Sequence, residues 1–285
     1  MRNSHLKYLQ KGFLEGFPSA YVSLDASRPW LVYWTLHSFD LLGGLGEFVM
    51  DEDTLNRTVE TLKAFQVPGE GGFCGGDHEL TAHMAHLAPT YASLLSIAIL
   101  QDPRAYSIIN VSGLRSFLKR LKNADGSFRM HAIDGEVDVR AAYCAVVAGK
   151  LTGCWDEELE DGLVTWISNC QTWEGGFGGV PGAEAHGGYT FCAIATISLL
   201  LSPDDLKSAI NVESLIYWLT SQQVQQIGGF RGRTHKLVDG CYSFWQAGAF
   251  ECLGLGHLID SLALQQYILV ACQEPRGGLK DKPGK

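Results

Sequence analysis

The feature that most restricts the fold is a glycine-glycine-aromatic triplet that returns at nearly even intervals. It stands as Gly71-Gly72-Phe73, Gly126-Ser127-Phe128, Gly175-Gly176-Phe177, Gly228-Gly229-Phe230 and Gly277-Gly278-Leu279, with third members 55, 49, 53 and 49 residues apart. A period near fifty residues is the length of one helical hairpin. Each triplet follows an amphipathic segment ending in Gln or Asn, at Gln66, Asn123, Gln171, Gln223 and Gln273. Apolar residues there recur at i, i+3, i+4 and i+7, as in Leu114, Phe117, Leu118 and Leu121, in Leu163, Trp166, Ile167 and Cys170, and in Leu264, Tyr267, Ile268 and Ala271. Such helices bury one face.

The segments after the triplets, 89–100, 141–149, 189–200 and 242–253, are apolar nearly all round. Helices of that kind need cover on both sides. One-faced and fully apolar helices in alternation fit a closed ring of hairpins, because an inner ring buries every inner helix. The expected fold is therefore all-α: one α/α barrel domain over 1–285, whose last repeat stops just after its turn, at Lys285. All the glycine turns then lie at one end, and the N–H groups that open the inner helices face the mouth of a central funnel.

Lys and Arg number 22 against 31 Asp and Glu, a formal charge of -9, which argues against nucleic-acid binding. Basic residues crowded into one loop of such a chain point to a small anionic ligand. That loop is 228–245, where Arg231, Arg233 and Lys236 precede Asp239, Cys241, Tyr242 and Trp245. A basic cluster beside a carboxylate and a thiol suits an anion held next to a metal-bound sulfur. Eight cysteines without a Cys-x-x-Cys pair read as thiols of a reducing compartment. No signal-peptide core opens the chain, and the longest apolar run, 189–201, is too short for a transmembrane segment, so a cytoplasmic location is expected. In the first hairpin Trp30 and Trp34 share a helix face, where they either fill core or line a site.

These repeats, with Asp25-Ala26-Ser27-Arg28-Pro29-Trp30, His86-Leu87-Ala88-Pro89-Thr90-Tyr91, Gly135-Glu136-Val137-Asp138-Val139-Arg140, Glu184-Ala185-His186-Gly187-Gly188-Tyr189-Thr190-Phe191-Cys192 and Asp239-Gly240-Cys241-Tyr242-Ser243-Phe244-Trp245, resemble the β subunits of protein prenyltransferases. The farnesyl-transferring branch fits best. The resemblance implies a zinc-assisted transfer of farnesyl from farnesyl diphosphate to the cysteine thiol of a Cys-a-a-X protein C-terminus. It implies catalytic roles for Asp239, Cys241 and Tyr242, with Asp239 and Cys241 as zinc ligands. A third ligand, a histidine on a further inner helix, is expected beyond Lys285.

By the same resemblance His186, Arg233, Lys236 and Tyr242 bind the diphosphate, and Asp281 brings a carboxylate to its magnesium. Trp30, Tyr91, Tyr143, Tyr189, Cys192 and Trp245 would line the isoprenoid pocket. Trp30 favours farnesyl, because geranylgeranyl enzymes carry a small residue there. Trp30, Trp34 and Arg140 would meet the peptide, and the partner is a prenyltransferase α subunit. Two alternatives stand beside this one: a geranylgeranyltransferase β subunit, and a non-catalytic chain that keeps a partner surface without a complete zinc site. A terpene cyclase would need an acid-rich Asp-x-Asp-Asp motif, and only Asp138 between valines is present. A glycosidase would need two facing carboxylates.

Overall fold

A computed structural model describes residues 1–76 and 84–284. In chain order the principal helices are α1 (Arg2–Gln10), α2 (Arg28–Leu41), α3 (Glu52–Ala64), α4 (Leu87–Leu100), α5 (Val111–Leu121), α6 (Val139–Thr152), α7 (Leu163–Ser168), α8 (Gly187–Leu200), α9 (Val212–Gln222), α10 (Tyr242–Cys252) and α11 (Ser261–Gln266). The even-numbered helices pack on one another in succession, α2 on α4, α4 on α6, α6 on α8 and α8 on α10. They form the inner layer. The odd-numbered helices lie outside it.

The burial pattern explains the two layers. On α5 the stripe Leu114, Phe117, Leu118 and Leu121 is buried, and Lys119 and Arg120 occupy the last turn, where cations meet the helix dipole favourably. Helices α4, α6 and α8 are buried almost all round. Inner helix α10 differs from expectation: only Gln246, Ala249 and Phe250 are buried, and Phe244 is exposed. Its second flank has no comparable packing against α2 among the described residues. The predicted stripe Leu264, Tyr267, Ile268, Ala271 also shifts. A π-helical turn, Tyr267–Cys272, widens the spiral and brings Cys272 rather than Ala271 into the core.

The glycine turns join the repeats. A Cβ on Gly71, Gly126, Gly175 or Gly228 would lie 2.0–2.5 Å from backbone of the next outer helix or its N-cap, at Gly113, Gly162, Ser214 and Ala263 respectively. Each outer helix therefore starts against the preceding turn. The same contact recurs at Gly277, where a Cβ would lie 2.2 Å from Ser4 O on α1. His5 adds hydrogen bonds, its Nε2 to Gln273 Oε1 at 2.8 Å and its Nδ1 accepting from Gly278 N at 2.9 Å. So α1 receives the turn that follows α11, as each later outer helix receives the turn before it.

A short bridge follows each outer helix from α3 to α11: Gln66 with Phe73, Lys122 with Phe128, Gln171 with Phe177, Gln223 with Phe230 and Gln273 with Leu279. In the second repeat the bridging residue is thus Lys122, one before the expected Asn123. Gln171 and Gln223 reach the N-cap residues of the next outer helices, Asn211 and Asp260. Lys122 does the corresponding work with Nζ on the carbonyls of Gly126, Leu159 and Asp161.

Candidate functional site

The inner helices begin at the same end as the turns, but their first N–H groups are not all left for a ligand. His86, Asp138 and His186 are N-caps whose side chains accept from Ala88 N, Arg140 N and Gly188 N. This fixes the chemistry of His186. Its Nδ1 accepts at 3.1 Å, so in the neutral ring the proton sits on Nε2, 2.9 Å from Tyr242 Oη. Nε2–H therefore donates to the phenol oxygen, and the Tyr242 hydroxyl proton is left to point elsewhere. Burial, then the Arg233 charge, pushes the His186 pKa below its ordinary value, which keeps the ring neutral near pH 7.

Glycines allow this approach. A Cβ on Gly232 would lie 2.0 Å from the Tyr242 ring, and Gly187 N donates to Gly232 O at 2.8 Å. The basic loop and the start of α8 consequently touch. Arg233 is half-buried and pairs through Nη1 with Glu184 Oε2 at 3.0 Å, and its neighbour Thr234 donates to Glu174 at 2.9 Å. Lys236 is exposed. Arg231 is a structural cation that bonds Gln222 and Ser221 O.

Asp239 and Cys241 lie together just before α10, where Cys241 N donates to Asp239 Oδ1 at 3.0 Å. The thiol is pushed up to about 12, first by burial and then by the carboxylates of Asp239 and Asp281. Asp281 comes close because its carbonyl accepts from Gly240 N at 2.6 Å, which seats the C-terminal segment on the Asp239–Cys241 turn. A thiol beside a carboxylate is the kind of donor pair that zinc takes, although among the described residues Asp239, Cys241 and Asp281 do not bring three donor atoms as close together as His86, His131 and Glu136 do. Without a cation the thiolate is disfavoured; with one it is stabilised. The structure thus gives Asp281 a neighbour, Cys241, that its expected magnesium role did not include.

From this end an aromatic ladder crosses every inner helix. Ring centroids are 5.5 Å apart for Trp34 with Trp30 and Trp30 with Tyr91, 5.4 Å for Tyr91 with Tyr143, and 5.5 Å for Tyr143 with Phe191 and Phe191 with Trp245. The hydroxyls of Tyr91 and Tyr143 lie 3.3 Å apart. Trp30, Tyr91, Tyr143, Phe191 and Trp245 are the third, fifth, fifth, fifth and fourth residues of their helices, so the ladder is one layer just inside the mouth. Phe191 is the rung that sequence reasoning missed, although it lies between two expected residues, Tyr189 and Cys192. Tyr189 instead faces His186 at 5.2 Å. Cys192 is buried, with its thiol pKa well above the ordinary value because of that burial.

Arg140 binds Asp138 with Nε at 3.0 and 3.1 Å and lies 5.6 Å over the Tyr189 ring. Nearby, His86, His131 and Glu136 bring three potential donor atoms within 4.8 Å. The cap on His86 argues against a metal there. Ligation through Nε2 would require the proton on Nδ1, which already accepts from Ala88 N at 3.1 Å. His86 Nε2 is a hydrogen-bond donor beside Arg140. A separate cleft of about 210 Å³, lined by Phe13, Phe17, Arg28, Thr35, Arg57 and Phe65 among others, lies between α2, α3 and the segment that follows α1 and contains none of these groups.

No helix of the described residues is long and apolar enough to cross a membrane. A family model described as the prenyltransferase alpha-alpha toroid domain matches residues 1–285. The chain is 43% identical over 99% of its length to the protein farnesyltransferase subunit beta of Schizosaccharomyces pombe, of which it spans 72%. It is 41% identical over its whole length to the protein of the same name from Pyricularia oryzae, of which it spans 59%. Its fold matches the solved structure of Candida albicans protein geranylgeranyltransferase-I complexed with GGPP at a TM-score of 0.87 and 26% identity, covering 100% of this chain and 86% of that one. With its triplet turns, aromatic inner layer and Asp239–Cys241 pair, the chain belongs to the prenyltransferase alpha-alpha toroid family, among the β subunits of the protein prenyltransferases.

Proposed function

We propose that the chain is the β subunit of a cytoplasmic protein farnesyltransferase. It would work with an α subunit to move farnesyl from farnesyl diphosphate to the cysteine of a Cys-a-a-X protein C-terminus. The observation that carries this reading is the junction of three chemistries at one mouth: the Asp239–Cys241 pair, the His186–Tyr242–Arg233 cluster and the aromatic ladder headed by Trp30. Zinc bound at Asp239 and Cys241 would keep the substrate's cysteine sulfur a thiolate. That sulfur forms a bond to C1 of the prenyl chain while the C1–oxygen bond breaks and diphosphate leaves with the electron pair.

The chain's own residues serve the leaving group and the tail. Tyr242 presents its free hydroxyl proton, and Arg233 and Lys236 present positive charge, to the growing negative charge on the diphosphate. Asp281 would hold a magnesium ion on it. The ladder of Trp30, Tyr91, Tyr143 and Trp245, with Tyr189 and Cys192 close by, offers apolar rings to the isoprenoid. Trp34, exposed beside Trp30, and Arg140 would meet the peptide.

The likeness to a geranylgeranyltransferase keeps a second substrate in view, and Trp30 separates the two. Its indole contacts both Trp34 and Tyr91, and by the resemblance it would fill the volume that a longer chain needs. The test is transfer to a Cys-a-a-X peptide from farnesyl and geranylgeranyl diphosphates by the chain with a prenyltransferase α subunit, zinc and magnesium. Farnesyl should have the higher kcat/KM, and Trp30→Thr should move the ratio toward geranylgeranyl by about tenfold or more. Transfer from neither donor rejects the function, and an unmoved ratio rejects the role of Trp30.

A further inference from the structure

The pair between Arg233 and Glu184 works against the proposed ligand. Glu184 stands two residues before the His186 cap, and both Glu184 and Arg233 act electrostatically on His186. Its carboxylate thus lies within the group of donors assigned to the diphosphate. It engages Arg233 through Nη1 at 3.0 Å, while Thr234, the next residue, is held by a second carboxylate, Glu174. The basic loop is parked on acids supplied by the preceding repeat.

We infer that Glu184 is a built-in counter-anion of the diphosphate subsite: it pairs with Arg233, and an incoming diphosphate must displace or endure it. Two opposite effects follow from its position. By orienting the guanidinium it favours binding, but an ion pair this exposed contributes a factor of about five at most. By placing a negative charge beside a multiply charged anion in a partly desolvated mouth it disfavours binding, by roughly tenfold or more. Repulsion wins. Glu184 accordingly weakens retention of the diphosphate and eases its departure after transfer.

This inference rests on the diphosphate reading of the site, and one set of titrations separates the two. Inorganic pyrophosphate and a non-hydrolysable farnesyl diphosphate analogue are titrated into the full chain, alone and with a prenyltransferase α subunit, at low and high salt. Wild type is compared with Arg233→Ala and Glu184→Gln, the latter keeping an amide oxygen for Arg233 while removing the charge. Glu184→Gln should bind both ligands about two- to tenfold more tightly at low salt, an advantage that shrinks at high salt as the Debye length falls. Arg233→Ala should bind them about ten- to a hundredfold more weakly. Binding that Arg233→Ala weakens but Glu184→Gln leaves equal or weaker overturns the inference alone. No binding by wild type, or no loss in Arg233→Ala, overturns the diphosphate reading and this inference with it.

Discussion

The hydrogen bond from His186 Nε2 to Tyr242 Oη, 2.9 Å long, predicts that these residues do not act independently on an anion. The perturbations are His186→Asn, Tyr242→Phe and their combination. Asparagine keeps a side-chain acceptor for Gly188 N, as a good N-cap does, so it deletes the Nε2–H donor and spares the start of α8. Tyr242→Phe removes a hydroxyl aimed at a charged oxygen, a loss of about 1.5–3 kcal/mol, or roughly 10- to 150-fold in affinity. With His186 in place the phenol oxygen is occupied as an acceptor and its proton is left for an anion. Without it the hydroxyl is free to turn, and much of the Tyr242 contribution is already gone.

The double variant should therefore lose less than the two singles together, with a coupling of about 0.5–1.5 kcal/mol. Calorimetric titration of inorganic pyrophosphate at pH 7.5 measures all four corners of the cycle. Free energies that add within about 0.3 kcal/mol would refute the assigned tautomer and the orienting role drawn from it. Stability offers a second readout. The folded His186 pKa is depressed by burial from 6.5, so the unfolded chain takes up a proton that the folded chain refuses. The wild type should then lose stability as pH falls below 6.5, and His186→Asn should flatten that part of the profile.

Two further outcomes test the rest of the framework. Gly175 has φ +107°, and a Cβ there would lie 2.1 Å from Ser214 O, whereas Gly182 has φ +82° with nothing within 4 Å. Gly182→Ala should cost only the backbone strain of about 1–2 kcal/mol, and Gly175→Ala about 3 kcal/mol or more, read as a clearly larger fall in Tm; equal falls would deny that turns and outer helices are in contact. Cys241, with its pKa near 12, is a protonated thiol at pH 8 in the metal-free chain. Iodoacetamide should label it at least about tenfold more slowly than a free cysteine, by mass spectrometry, and fast labelling would show that its carboxylate neighbours do not suppress the thiolate.

The layered fold was legible because both of its signals are periodic: one-faced stripes such as Leu114, Phe117, Leu118 and Leu121, and all-apolar segments such as 189–200. Neither signal could tell that a lysine stands in for glutamine. Lys122 reaches the carbonyl of its own turn and carbonyls just before the next outer helix with a different head group, and Asn123 beside it looks more like the repeat. The shift from Ala271 to Cys272 was equally hidden, since a π turn changes the period on which the reading relied. At the site, the Asp239–Cys241 pair and the basic cluster are short-range patterns. Glu184 and Phe191 matter through the next repeat, Glu184 by pairing with Arg233 and Phe191 by stacking on Trp245. Pairings across repeats leave no periodic mark, although both residues lie inside the motif that runs from Glu184 to Cys192.

The contact of Gly277 with Ser4 gives the molecule a seam. Every other joint between a turn and the next outer helix links residues roughly forty positions apart, and such joints can form one after another as the chain adds repeats. The bond between His5 and Gln273 spans 268 positions. Closing a loop that long costs roughly 1.5–2 kcal/mol more chain entropy than closing one of forty, and only a few contacts reward it. The seam should form last in folding and open first in native-state fluctuations. Amide protons at Gly278 and along α1 are then expected to exchange ahead of those in α6 and α8. Until that joint shuts, α1 is tied to the rest of the outer layer by none of the turn contacts that join the later outer helices to one another.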